Sequence, residues 1–192
     1  KPSEGKSLTA ANIAISYAML GKKVLLIDAD MRKPTQRRLW RVEKPTGLCD
    51  FLAKISKLEL DKVKDLPLWI VCTGTIPPNP SELLSSERMK HFVEESAKVY
   101  DYIIIDTPPI NTVADAQIVS TYVDGVVLVV KSGDTTEDEL NEAIDAVRRA
   151  GGNLCGTVLN DLNMKSVKYA YKYKYGGKYG YKYSYSESYE AR

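Results

Sequence analysis

Between residues 8 and 19 the apolar side chains Leu8, Ala11, Ile15, Ala18 and Met19 return at spacings of three and four, the stripe of an amphipathic helix, and Gly21 stands where that helix should stop. Val24-Leu25-Leu26-Ile27 follows as a short unbroken apolar run, which predicts a parallel strand buried on both faces. Similar runs predict strands at 68–72, 102–105, 125–130 and 154–159. Three prolines within 76–80 bar that stretch from a helix interior or a central strand, because each removes a donor and fixes φ. Ser81 or Ser85 is expected to cap a helix that runs to about residue 99 and turns Met89, Phe92 and Val93 inward. A second clear helix spans 136–150, with Glu137, Asp138 and Glu139 at its positive end, Arg148 and Arg149 at its negative end and Gly151-Gly152 as the stop. Pro34 and Pro45-Thr46-Gly47 interrupt 33–66, and one or two short helices are expected between 48 and 66.

Strands alternating with helices imply βαβ units with right-handed crossovers, hence an α/β fold whose mostly parallel sheet carries helices on both faces. The candidate chemistry makes that fold P-loop NTPase-like. Lys1-Pro2-Ser3-Glu4-Gly5-Lys6-Ser7 reads as the end of a phosphate-binding loop, in which backbone N–H groups wrap a nucleotide's phosphates, the lysine neutralises them and the hydroxyl ligates Mg²⁺. Gly-Lys-Ser alone is common in exposed loops, but here it opens a helix, so a helix N-terminus would face the anion. The residue and strand that usually open such a loop would lie before Lys1, so the chain is expected to be a fragment lacking its first strand.

The runs at 24–27 and 102–105 both end in acids, at Asp28-Ala29-Asp30-Met31-Arg32 and at Asp106-Thr107-Pro108-Pro109. The carboxyl ends of strands are where open α/β sheets bind ligands. An aspartate there can also do no more than cap a turn, and the phosphate loop is what tips the reading toward Mg²⁺.

Composition narrows the classes. The 192 residues, 44% hydrophobic, suffice for one substantial core, and no apolar run reaches the roughly 18 residues of a membrane span. Cys49, Cys72 and Cys155 stand singly without metal-ligand spacing, which fits a reducing compartment, and His91 receives no role. The charge is uneven: residues 165–192 carry a net +5 and the remainder −3, so the two are separate compositional units. From Tyr169 to Tyr189 nine tyrosines alternate with Lys, Gly and Ser, too little aliphatic surface to offset the entropy of ordering.

Taken together, the phosphate loop, the runs at 25–32, 76–84 and 100–109 and the tyrosine-rich end resemble the bacterial tyrosine kinases of capsule and exopolysaccharide assembly. The loop and the aspartates are shared with MinD/ParA-type ATPase switches, while the proline segment and the tail favour the kinases. The resemblance implies a kinase domain at 1–164 and an autophosphorylation tail at 165–192. It implies ATP and Mg²⁺ as cofactors, with Ser3, Glu4, Gly5, Lys6, Ser7, Leu8, Arg32 and Asn160 binding the nucleotide. Ser7, Asp28 and Asp106 would hold the metal, and Lys6, Asp28 and Asp30 would be catalytic, with Asp28 also a candidate base for the incoming phenol. The acceptors would be Tyr169, Tyr171, Tyr173, Tyr175, Tyr179, Tyr181, Tyr183, Tyr185 and Tyr189, offered to a neighbouring subunit in a ring-like oligomer. It further implies a cytoplasmic protein at the inner face of the membrane, held by a fused or separate membrane activator of the polysaccharide co-polymerase kind and reset by a protein-tyrosine phosphatase.

Two other readings compete. A MinD/ParA-type switch would hydrolyse ATP and phosphorylate nothing, but Pro2-Ser3 replaces the glycines usual in that group. A Lys/Tyr tail could grip nucleic acid, but the acidic body offers no surface of matching sign, and no nucleic acid is expected.

Overall fold

A computed structural model describes residues 1–162. The tyrosine-rich segment and the nine tyrosines expected to be acceptors lie outside the described residues.

The first helix, α1 (Lys6–Met19), leads into strand β1 (Val24–Asp28). Two short helices, α2 (Gln36–Trp40) and α3 (Leu48–Leu52), precede strands β2 (Asp61–Lys62) and β3 (Leu68–Val71). Helices α4 (Pro80–Ser85) and α5 (Glu87–Ala97) are followed by β4 (Tyr102–Asp106), α6 (Asp115–Ser120), β5 (Val126–Lys131), α7 (Glu137–Arg149) and β6 (Leu154–Asn160). One sheet has the order β2-β3-β1-β4, with β1 parallel to both β3 and β4 and β2 antiparallel at the edge; β5 and β6 form a separate parallel pair.

Strand alternation divides the core. Leu25 and Ile27 of β1 join Met31, Leu48, Leu84, Met89 and Val119 on one face, while Val24 and Leu26 join Ala11, Ala14 and Ala18 of α1 on the other. All five residues of β1 are buried, and each large apolar side chain so enclosed contributes about 1.5–3 kcal/mol. β1 is therefore the rigid rail on which the acids at its end are mounted. A third cluster, around Leu128, Ala143 and Val147, fastens α7 to the β5–β6 pair.

Several expectations need correction. The buried stripe of α1 is Ala11, Ala14 and Ala18; Leu8 and Met19 are 54% and 73% exposed. Leu8 sits in the first turn at the wall of a cleft, and Met19 lies about 100° around the helix from Ala18. The region 81–99 is two helices. Pro80 opens α4 at a position where its missing N–H costs nothing, and Ser86, not Ser81 or Ser85, caps α5 through the N–H of Met89. Between 48 and 66 the one short helix α3 agrees with the one or two expected, while the antiparallel strand β2 that follows it was not foreseen. The isoleucines of β4 are half-buried rather than enclosed, because Ile103, Ile105, Val127 and Val129 line a channel of about 570 Å³ between β4 and β5.

Candidate active site

The loop before α1 is held from both sides. Gly5, the N-cap of α1, has φ +86°, and a Cβ there would stand 2.1 Å from Asn160 Nδ2. Only glycine meets both conditions. Asn160, at the tip of β6, donates its side-chain N–H to the Glu4 carbonyl at 2.9 Å, so the last strand fixes the loop backbone. The Glu4 side chain is buried. Its Oε1 accepts a hydrogen bond from Thr135 Oγ1 at 2.8 Å. The Lys6 ammonium donates to the Lys1 carbonyl and lies 3.4 Å from Glu4 Oε2. Ser3, Gly5, Lys6, Ser7 and Leu8 all line a cleft of about 460 Å³ at the N-terminus of α1.

Asp28 and Asp106 are register partners at the ends of β1 and β4, and both are buried. Asp28 Oδ1 accepts the Asp30 N–H at 3.3 Å and Oδ2 accepts the Gln36 N–H at 3.0 Å. Asp106 Oδ2 accepts Gln36 Nε2–H at 2.8 Å, and the Ser7 hydroxyl also reaches this carboxyl. Burial, reinforced by the neighbouring Asp106 charge, pushes Asp28 up to about 7. Burial likewise raises Asp106, with the Ser7 and Gln36 hydrogen bonds pulling the other way.

Among the described residues neither carboxylate has an ion-pair partner, and no group of three or more metal-binding side chains occurs. That donor set fits Mg²⁺, which takes one or two carboxylates and a hydroxyl and draws its remaining ligands from water and phosphate. The unneutralised pair is what a divalent cation would satisfy.

Asp30 behaves differently from Asp28. Its Oδ1 accepts the N–H groups of Arg32 and Lys33 at 3.2 and 2.9 Å, so it caps the turn after β1, and it lines the cleft. Asp28, wholly buried, does not line it. Arg32 also lines the cleft, with its guanidinium forked onto Asp115: Nε to Oδ2 is 2.8 Å and the second contact, to Oδ1, is 3.1 Å. Ser81 Oγ donates to Asp115 Oδ1 at 2.6 Å. Burial opposes the Asp115 charge, but Arg32 and Ser81 hold this carboxyl below its ordinary value.

The structure thus brings Ser3, Glu4, Gly5, Lys6, Ser7, Leu8, Asp28, Asp30, Arg32, Asp106 and Asn160 to one end of the sheet. Sequence reasoning missed Gln36, Ser81, Asp115 and Thr135. Gln36 sits in the stretch left unassigned, and its only signal is a polar residue opening a short helix beside two acids.

A family model described as an AAA domain matches residues 1–153. The tyrosine-protein kinase YwqD of Bacillus subtilis is 44% identical over 173 residues, covering 88% of this chain and 73% of that protein. The solved kinase domain of Escherichia coli tyrosine kinase ETK superposes with a TM-score of 0.82 at 31% identity, covering 96% of this chain and 69% of that one. The chain belongs to the bacterial tyrosine-protein kinases. MinD from Pyrococcus horikoshii, solved with Mg-ADP, shares 21% identity at a TM-score of 0.69 over 83% of this chain and 66% of that one, a likeness of fold alone.

Proposed function

We propose that this chain transfers the γ-phosphoryl group of ATP to tyrosines of its own 165–192 segment, presented by a neighbouring copy. The observation that carries the reading is the convergence of a glycine-hinged loop, a helix N-terminus and an unneutralised buried carboxylate pair beside an open cleft. Phosphoryl transfer needs positioning and charge neutralisation more than covalent chemistry, and those parts supply both.

Lys6 and the N–H groups opening α1 would bind the phosphates, and Ser7, Asp28 and Asp106 would hold Mg²⁺. When bound, that ion neutralises charge on the phosphates. The phenol oxygen forms a bond to the γ-phosphorus as the bond to the β–γ bridging oxygen breaks, and ADP leaves. The phenolic proton passes to a carboxylate. Asp30, which lines the cleft, can meet an acceptor directly, whereas Asp28 can act only through a bound water or after movement. Asn160, bonded to the loop, bears on the nucleotide through the backbone of Glu4 and Gly5 as well as by any contact with adenine.

The cleft also carries apolar wall residues, Leu8, Leu39 and Val113, together with Arg38 and Lys33, suited to an aromatic ring and its incoming phosphate. In the cell the kinase would control capsule or exopolysaccharide synthesis from the cytoplasmic face of the membrane, through a fused or separate membrane activator and an opposing phosphatase. Each phosphate adds about −1.5 to −2 charges, so two or three cancel the +5 of the segment and release it from a partner. Among the described residues no helix is long and apolar enough to cross a membrane.

The test mixes two defective chains. Lys6→Met keeps the tyrosines and loses the phosphate lysine, and a 165–192 deletion keeps the site and loses the tyrosines. Phosphotyrosine on the Lys6→Met chain only when both are present with Mg-ATP is the expected result. ATP hydrolysis with no phosphotyrosine on either chain contradicts the proposal and favours a nucleotide switch.

A further inference from the structure

Gln36 is wholly buried, yet it makes four polar contacts, three of them to elements that carry the candidate metal ligands. Its main-chain N–H donates to Asp28 at the end of β1, at 3.0 Å. Its side-chain nitrogen donates to Asp106 at the end of β4, at 2.8 Å, and to the Ser7 carbonyl in the first turn of α1, at 2.9 Å. Its Oε1 accepts the Trp40 indole N–H at 2.9 Å. These contacts admit one orientation of the amide, because an indole N–H only donates while a carboxylate and a carbonyl only accept.

We propose that Gln36 is the positioning residue of the magnesium–nucleotide site, holding Asp28, Asp106 and Ser7 in one arrangement through three N–H donations. The inference rests on the reading that those three residues hold Mg²⁺. A neutral amide suits the task. It donates to one oxygen of each carboxylate without adding charge, whereas a lysine or arginine in its place would neutralise the pair and compete with the cation. The indole of Trp40, one helical turn on, keeps the carbonyl end of the amide turned away from the acids.

The test measures binding of fluorescent mant-ADP against Mg²⁺ concentration, and in excess EDTA, for wild type, Gln36→Leu and Trp40→Phe. Gln36→Leu keeps the bulk and removes both side-chain donors. Its half-saturating Mg²⁺ concentration is expected to rise at least about tenfold, with residual binding in EDTA unchanged. Trp40→Phe keeps both donors but loses the bond that orients them, and is expected to raise the half-saturating Mg²⁺ concentration less than Gln36→Leu does. A second measurement needs no variant: the wild-type Gln36 side-chain amide signal, assigned by NMR through its contact with the Trp40 indole proton, should shift on adding Mg-ADP and not on adding ADP in EDTA.

A Gln36→Leu protein with wild-type magnesium dependence overturns the inference and leaves the site reading standing. So does one that loses binding equally with and without Mg²⁺, or an unmoved amide signal in a wild type that does bind Mg-ADP. If wild-type binding ignores Mg²⁺, the site reading falls and the role of Gln36 falls with it.

Discussion

Asp28 and Asp106 stand side by side on paired parallel strands, both buried, with a neutral glutamine between them and, among the described residues, no cationic side chain bonded to either. Two carboxylates so placed destabilise the fold unless a proton or a cation is present. The cost is accepted on the most completely buried strand of the sheet, which has the packing energy to hold the arrangement.

Neutralising one member should therefore trade function for stability. Asp28→Asn is expected to raise the melting temperature of the magnesium-free protein and to lower tyrosine autophosphorylation at least about a hundredfold. Calorimetry in EDTA and a phosphotyrosine assay check the two halves on the same preparation.

The raised Asp28 value also fixes the sign of a pH effect. Its carboxyl moves from 3.8 to about 7 on folding, so the native state binds this proton more tightly than the unfolded chain does. The associated stability is fully present below pH 3.8 and is lost as pH rises toward and through 7. Denaturant titrations in EDTA should show the stability of wild type relative to Asp28→Asn falling by roughly 2–4 kcal/mol between pH 4 and pH 8. A slope that Asp28→Asn leaves unchanged would exclude a raised Asp28.

Arg32 and Asp115 should answer unequally to mutation. Asp115 is wholly buried while the Arg32 side chain is 40% exposed. Arg32→Ala leaves a buried carboxylate with only Ser81, and is expected to cost about 3 kcal/mol or more. Asp115→Ala leaves an arginine that water can reach, at roughly 1–2 kcal/mol. Equal losses, read from denaturation midpoints, would argue against burial as the deciding term.

Leu39, 43% exposed, lines the cleft. Leu39→Ser is expected to raise KM for a Lys/Tyr-rich acceptor peptide about three- to tenfold, the loss of roughly 1 kcal/mol of apolar contact, with ATP affinity unchanged. Steady-state kinetics with each substrate varied separately resolves the two.

What the sequence disclosed follows from how local each signal is. Helix α7 is marked by its own residues, since Thr136 and Glu139 form a reciprocal capping box, and it lies where the charge pattern predicted. Strands β1 and β3 were legible as apolar runs, and the acids at 28 and 106 were legible as strand ends. The burial of α1 was not, because whether Leu8 or Ala14 faces the sheet depends on how closely the helix approaches it. Nor were Gln36 and Asp115, whose partners lie 70 and 83 positions away in the chain. A hydrogen bond of that reach leaves no periodic trace, and the short helix that carries Gln36 has too few turns to show one.

The most direct test of the central claim is intact mass after incubation with Mg-ATP, for phosphatase-treated wild type, Lys6→Met and the 165–192 deletion. A ladder of phosphate additions on wild type, absent from both variants, is the predicted result, with the added groups on tyrosines 169–189. ATP consumed while the wild-type mass stays unchanged would contradict the account.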